Sequence, residues 1–394
     1  MNPQQTPLRL TVLLGVLIAL PALGTDLFVP ALPVFAQALA VEVGAAQFAL
    51  TTYFAGLAAG MLLWGPLSDR YGRKPVLFAG LALMLGASIV AAHVDSVGAV
   101  AAARLAQGFA MSSGAVIARA VVRDLHAHEQ AARLLASITI VFSFVPIAAP
   151  LAGAAIASLA GWRAIFWCLA AVAALLALAT LAMLRETAPS EPTSASPAGI
   201  VRTFGLILRE RRFIRPFVLI LCAFLGIVAW VSSSAFVLVQ GFGVSTTGYG
   251  LSFAGVMLGQ IIGAWASSRL VVRLGMPRLV RFGAASMLVA GLSVASLAWL
   301  GVAHWAAVVP PFFLFLAGTA LIVPNATAAA LSPFPGSAGA AASLMGAAAF
   351  TIGAFVSAGL GFAFDGTARP MASVAAVAGI AAFILDQTWK ASTR

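Results

Sequence analysis

Apolar residues run along this chain in blocks of about 20, each long enough to cross a ~30 Å hydrocarbon layer as a helix. The blocks end at short breaks bearing glycine, proline or arginine. The pattern predicts spans near 9–33, 46–67, 76–94, 97–121, 134–159, 162–184, 214–239, 248–270, 279–300, 305–330, 338–363 and 370–387. Between the sixth and seventh lies Thr187-Ala188-Pro189-Ser190-Glu191-Pro192-Thr193-Ser194-Ala195-Ser196-Pro197, a Pro/Ser-rich stretch without apolar periodicity that reads as a flexible linker. It divides the chain into a bundle over 1–184, a linker over 185–213 and a second bundle over 214–394. A basic loop after the second span, Arg70 to Lys74, is echoed after the eighth by Arg269, Arg273 and Arg278. Shared membrane orientation would also make both loops basic, so the echo is modest support for internal symmetry. The expected fold is an all-α membrane protein of twelve transmembrane helices in two pseudo-symmetric six-helix bundles.

Composition excludes a soluble fold. Of 394 residues 62% are hydrophobic and 8% charged, against about a quarter charged in an average soluble domain. The net charge of +11 would suggest nucleic acid in a soluble protein, but here its distribution matters more than its total. Lys and Arg accumulate in short cytoplasmic loops, and an even number of spans returns both termini to one side. With the termini inside, 22 basic residues divide very unevenly: Arg163 and Arg369 fall outside, Arg104 sits within a span, and the rest are cytoplasmic. Arg9, the apolar run after it and Ala36-Gln37-Ala38 imitate a cleavable secretory signal, yet that run passes Asp26, Pro30 and Pro33, beyond the ~7–15 residues of a signal core. The first helix is expected to be retained. Cys168 and Cys222 lie singly in different apolar runs, without metal-site spacing, and read as packing residues.

A charge at mid-bilayer costs about 2.5–3.5 kcal/mol on insertion scales, so ionisable residues left inside spans are the functional candidates. Asp26 is the one acid deep in a span, and Arg104 is its one basic counterpart. A carboxyl in low dielectric favours its neutral form, and a cation a few ångströms away restores the charged one. Asp26 is thus placed to load and release a proton. If Arg104 or a cationic substrate approaches it in one state only, proton and substrate affinity become reciprocally linked. The plainer alternative is a static Asp26–Arg104 pair joining two helices. His93, His126, His128 and His304 fall at loops or span ends, no second intramembrane carboxylate offers a catalytic pair, and no G-x-x-x-x-G-K-(S/T) phosphate loop occurs. The expectation is no enzyme and no cofactor, with a proton gradient as energy source.

The segment Gly65-Pro66-Leu67-Ser68-Asp69-Arg70-Tyr71-Gly72-Arg73-Lys74 links spans two and three. It resembles the cytoplasmic signature of the major facilitator superfamily, G-x-L-(a)-D-R-x-G-R-(K/R), with every defining position present. Gly65 and Gly72 would permit a tight turn, and Asp69 could face the positive end of a neighbouring helix. The resemblance implies a latch on the cytoplasmic gate, with Gly65, Asp69, Arg70, Gly72 and Arg73 as gating residues; the bland reading is topology alone. Arg104-Leu105-Ala106-Gln107-Gly108 resembles the R-L-x-Q-G signature, whose arginine is linked to proton coupling. Val145-Pro146-Ile147-Ala148-Ala149-Pro150-Leu151-Ala152-Gly153 is similar in part to the G-P-x-x-G-G element of drug:proton antiporters. Ala149 and Ala154 replace two expected glycines, so Pro150 and Gly153 speak for a kinked, closely packed gating helix more than for transport direction.

Thr25-Asp26-Leu27-Phe28-Val29-Pro30-Ala31-Leu32-Pro33 resembles D-(M/L)-(Y/F)-x-P-A-L-P of the Bcr/CflA multidrug efflux branch, and Ser234-Ala235-Phe236-Val237 resembles its S-P-F-V, with Ala235 in place of proline. Val323-Pro324-Asn325-Ala326-Thr327-Ala328, Phe334-Pro335-Gly336-Ser337-Ala338-Gly339 and Ala342-Ser343-Leu344-Met345-Gly346 look like its span ten and eleven signatures. The resemblance implies a monomeric drug:proton antiporter of the bacterial cytoplasmic membrane, exporting phenicols, bicyclomycin and related small drugs. A metabolite exporter or proton symporter of the same fold is the alternative. The substrate site is expected at the midplane between the halves, with Asp26, Tyr53, Met111, Phe142, Trp230, Ser234 and Phe253 as lining candidates.

Overall fold

A computed structural model describes residues 8–125, 128–188, 197–334 and 337–391, and among them there is helix and loop but no strand. The first span is α1 (Leu8–Asp26), a 3-10 turn (Val29–Ala31) and α2 (Leu32–Ala38). Next come α3 (Val43–Tyr71), α4 (Arg73–His93), α5 (Val97–Leu125), α6 (His128–Ala160) and α7 (Trp162–Met183). A short helix, α8 (Pro197–Arg209), precedes α9 (Arg211–Ala235), which runs into a π-helical segment (Phe236–Gly241). The chain closes with α10 (Thr246–Leu274), α11 (Met276–Trp299), α12 (Val309–Leu331), α13 (Ala338–Ala363) and α14 (Arg369–Ala391). Eleven helical spans among the described residues are long and apolar enough to cross a membrane, and Phe144–Ala160 is the described apolar part of the twelfth, α6. Large apolar side chains such as Leu175, Leu178, Phe355 and Phe362 are exposed around the molecule, as a lipid-facing surface requires.

The expected spans are all present as helices, with two informative differences. The loop between spans two and three is far shorter than expected, because α3 continues through Tyr71 and only Gly72 is non-helical. Within 185–213, α8 occupies the second half of what reads as linker; the Pro/Ser-rich residues 189–196 lie outside the described residues.

Proline dictates the break in the first span. A proline ring removes one backbone donor and clashes with the carbonyl four residues earlier. For Pro30 that carbonyl belongs to Asp26, so α1 ends at the acid and the backbone turns through 3-10 geometry, Phe28 N–H donating to Thr25 O at 3.1 Å and Ala31 N–H to Phe28 O at 2.9 Å.

Helix association in lipid relies on close packing of small residues rather than on the hydrophobic effect. On α3, Gly56 faces the Leu105 carbonyl of α5, and on α5, Gly108 faces the Tyr53 carbonyl of α3, so either Cβ would drive the helices apart. Packing falls into two groups: α1 against α5 and α6, α4 against α5 and α7, and separately α11 against α12 and α14, α9 against α12, α13 and α14. Two seams join the groups, α3 with α13 and α6 with α10. Along the first seam α3 and α13 run antiparallel: Gly44 lies against the Gly361 carbonyl, Phe54 stacks on Phe350 at 6.2 Å, and Met61 faces Gly346. Gln47 adds a polar tie, donating from Nε2 to the Ser232 carbonyl of α9 at 2.7 Å.

Candidate functional site

Four charged side chains are buried among the described residues: Asp26, Arg73, Arg104 and Asp386. Two of them sit at helix ends on the face that carries Gly72 and have ion-pair partners, Arg73 with Asp69 and Asp124, Asp386 with Arg281 at 3.6 Å. Asp26 and Arg104 differ. Asp26 is 7% exposed at the end of α1 and has neither an ion pair nor a hydrogen bond among the described residues. Arg104 is fully buried; its Nη1 donates to Gln107 Oε1 at 2.6 Å, while Nε and Nη2 have no hydrogen-bond partner. The guanidinium instead lies over two rings, 3.9 Å from the Tyr53 centroid and 4.8 Å from that of Phe28. The static Asp26–Arg104 pair is therefore absent from this conformation. Gln107 is itself oriented, its Nε2 donating to Ser88 Oγ at 2.7 Å and Ser88 donating to Met84 O at 2.7 Å. This chain aims Arg104 and leaves two of its nitrogens free.

Tyr53 and Met111 gather at the same place. The Tyr53 hydroxyl donates to Pro21 O at 2.9 Å and lies 3.1 Å from the Met111 sulfur, and both side chains crowd against Gly24, two residues before Asp26. On the other group of helices, Ser234 of α9 shares a 2.9 Å hydrogen bond with the hydroxyl of Tyr249 of α10. The 3-10 turn following Asp26 packs against both α9 and α10. Trp230 and Phe253 belong to an aromatic cluster with Phe312, at 5.8 Å and 5.0 Å from the Trp230 ring.

In this conformation the candidates for the midplane site are packed away from solvent. Tyr53, Met111, Trp230, Ser234 and Phe253 are all fully buried, Tyr53 against Met111 on one side and Trp230 against Phe253 on the other. The side chain of Phe142 falls outside the described residues. The cavities described, of about 310 Å³ beside Gln37, Glu42 and Gln240 and about 80 Å³ beside Gly301 and Arg369, lie at the opposite face from Gly72 and touch none of the candidates.

Tyr249, Gln107 and Ser88 were not among the candidates read from the sequence. Scarcity was a usable signal for the first: the chain has three tyrosines, and Tyr53 and Tyr249 are both buried here. A buried hydroxyl pair predicts a stability test. Tyr249→Phe and Ser234→Ala should each destabilise by about 1–3 kcal/mol, because each leaves a buried partner unsatisfied, whereas the double variant should cost less than the sum. Thermal melts of the four proteins check this.

In the 65–74 segment Gly72 makes the turn, whereas Gly65 and Asp69 depart from expectation. Gly72 adopts φ +97° and ψ 151°, a conformation that favours glycine, and a Cβ there would lie 2.8 Å from a Glu186 oxygen. Gly65 is an ordinary helical residue with room for a Cβ, so it forms no part of the turn. Asp69 accepts from its own segment's Arg73 and does not cap a neighbouring helix. Arg70 is exposed and lies over the Tyr71 ring. The centre of the motif is Arg73, which also donates to Asp124 Oδ2 at 2.9 Å and Ser68 Oγ at 2.7 Å.

The carboxylate that caps α4 is Glu186, beyond α7, which accepts from the backbone N–H groups of Arg73 at 2.9 Å and Lys74 at 3.1 Å. Partial burial pushes this carboxyl up, but backbone donors at Ala188, Arg73, Lys74 and Thr187 outweigh it and hold Glu186 below the usual glutamate range. A depressed acid stabilises the fold above its unfolded value and loses that contribution as pH falls through its folded one. Glu186→Gln should therefore melt earlier than wild type at pH 7, and the deficit should close as pH falls below about 4.3; a deficit independent of pH would rule out the charge as its cause.

Pro150 and Gly153 lie on α6 where it meets both neighbours. Gly153 faces the backbone of Leu27, directly after Asp26, and the Pro150 carbonyl faces Gly250 of α10. Small size at Gly153 is what lets α6 approach the broken first span.

Residues 14–358 match the family profile of the Major Facilitator Superfamily. Among curated relatives, a bicyclomycin resistance protein homolog of Haemophilus influenzae is 30% identical over 94% of this chain and 93% of its own. Multidrug resistance protein D of Escherichia coli is 28% identical over 87% and 86%. The fold agrees with the xylose transporter XylE from E. coli, solved in a partially occluded inward open conformation, with TM-score 0.70, 16% identity and 97% of each chain covered. A POT family transporter in complex with a thioalcohol conjugated peptide superposes with TM-score 0.77 at 13% identity over 98% and 95%. The chain, a multi-pass membrane protein with a buried acid at the break of its first span, belongs to the major facilitator superfamily of transporters.

Proposed function

We propose that this transporter is a proton-coupled exporter of small amphipathic drugs of the phenicol or bicyclomycin kind. It would work by alternating access in the bacterial inner membrane, as a monomer, with both termini in the cytoplasm. One observation carries the reading: Asp26 is a buried acid without ion pair or hydrogen bond among the described residues, while the buried charges at the Gly72 face are paired. An unpaired carboxyl in low dielectric is costly as an anion and cheap as an acid, so its protonation is sensitive to whatever else enters the site. The names of the curated relatives, bicyclomycin resistance protein homolog and multidrug resistance protein D, support the drug class. The skewed distribution of Lys and Arg supports the orientation.

In the proposed cycle Asp26 takes a proton from the outside, drug departs, and loss of the proton to the cytoplasm restores affinity for the next molecule. The two helix groups rock about the α3–α13 and α6–α10 seams, while the Arg73 knot stiffens the cytoplasmic end of the first group. Moving one charge down a 100 mV potential supplies about 2.3 kcal/mol, roughly a fortyfold gradient, before any pH difference. A drug-susceptibility panel in an efflux-deficient host tests both class and range. Raised resistance to phenicols or bicyclomycin that disappears with Asp26→Asn is expected; a wild-type protein that alters no susceptibility would remove the drug reading.

A further inference from the structure

The short helix α8 has no part in the transport scheme, yet its surface is built for a partner. Ile207 is buried and Phe204 half-buried against the bundle, where α8 packs on α13 and α9. Leu206 and Leu208 are 58% and 46% exposed. Arg202 and Arg209 project from the side of the helix away from Ile207, as their spacing at 100° per residue requires, and both are exposed. Arg211 and Arg212, exposed in the first turn of α9, extend the charge. None of these four arginines has an ion pair among the described residues; Glu210, the acid between them, is engaged in capping α9 through the Arg212 N–H at 3.1 Å.

Position selects the partner. A single residue, Glu210, separates α8 from α9, so the C-terminal turn of α8 lies at the level where a span enters the bilayer. Exposed leucines beside exposed, unpaired arginines at that depth match a phospholipid surface, with leucines reaching toward acyl chains and guanidiniums toward phosphates. We propose that α8 is an interfacial helix that binds anionic phospholipid headgroups through Arg202, Arg209, Arg211 and Arg212. Because α8 packs on α13, one side of the seam between the helix groups, bound lipid is tied to the part of the molecule that must move.

The test uses the full-length protein in detergent, with phosphatidylglycerol as probe and native mass spectrometry as readout. Each arginine near an anionic surface contributes about fivefold in affinity. Arg202→Gln with Arg209→Gln should therefore weaken phosphatidylglycerol retention roughly twenty-fivefold, leaving phosphatidylcholine retention unchanged. Arg269→Gln with Arg273→Gln, two arginines removed elsewhere on the basic side, should keep wild-type retention. Equal losses in both double variants would show general charge attraction and overturn the proposal, as would wild-type retention in the α8 variant. If the α8 variant fails to fold, Leu206→Cys carrying a fluorophore decides. Quenching by brominated phosphatidylglycerol in nanodiscs is expected, and its absence would refute a lipid-facing α8, whichever solute or protein covers it.

Discussion

Asp26→Asn is expected to abolish uphill drug export while leaving the protein inserted and folded. The asparagine is nearly isosteric and sits at the same helix break, because Pro30 and not the carboxyl ends α1 there. Asp26 makes no hydrogen bond among the described residues, so the substitution removes no structural contact. It does remove the carboxyl proposed to carry the proton. Downhill drug movement should persist, since alternating access needs only the two seams, but a pH gradient should no longer drive accumulation in inverted vesicles. The expected loss is the whole of the coupled gradient, roughly fortyfold per 100 mV. Uphill export at the wild-type rate would end the coupling scheme.

Arg104→Ala has the second largest expected effect. Arg104 is held by the Gln107–Ser88 chain and by the rings of Tyr53 and Phe28, with Nε and Nη2 unsatisfied. Leaving two donors of a buried guanidinium unpaired is costly, which argues that they find an acceptor in another step of the cycle, the Asp26 carboxylate being the anion nearest in kind. Without the cation, a carboxyl keeps its proton longer, and the pH profile of drug–proton exchange should move toward alkaline pH by about one unit or more. An unaltered profile, with altered melting alone, would make Arg104 a packing residue. Gln107→Leu should reproduce part of the shift by letting the guanidinium wander.

The length, order and membrane character of the helices were legible because lipid imposes a simple rule: about 20 apolar residues per crossing, with all backbone polar groups satisfied within the helix. Asp26 and Arg104 were legible for the same reason, as charges stand out where the cost of charge is high. The break after Asp26 could be anticipated from Pro30 and Pro33. The details of the 65–74 segment could not. Its residues suggested a turn spread over Gly65 to Gly72, but helix α3 continues through Pro66 to Tyr71, and the acid that caps α4 comes from Glu186, more than a hundred residues away along the chain. Long-range capping leaves no local pattern. The closed packing of Trp230, Phe253 and Tyr249 was hidden too, because among 26 phenylalanines helical periodicity does not separate a ring facing the seam from one facing lipid. α8 was missed because it is too short to span and follows a Pro/Ser-rich stretch, although Arg202 and Arg209 fall on the side of the helix opposite Ile207.

In the proposed cycle drug and proton compete for a site governed by Asp26. Proton release on drug binding, followed with a pH indicator in weakly buffered detergent solution, tests it most directly. Wild-type protein should release a proton on binding a phenicol or bicyclomycin, and Asp26→Asn should bind drug without release. Equal release from both proteins would contradict the account and place the titrating group elsewhere.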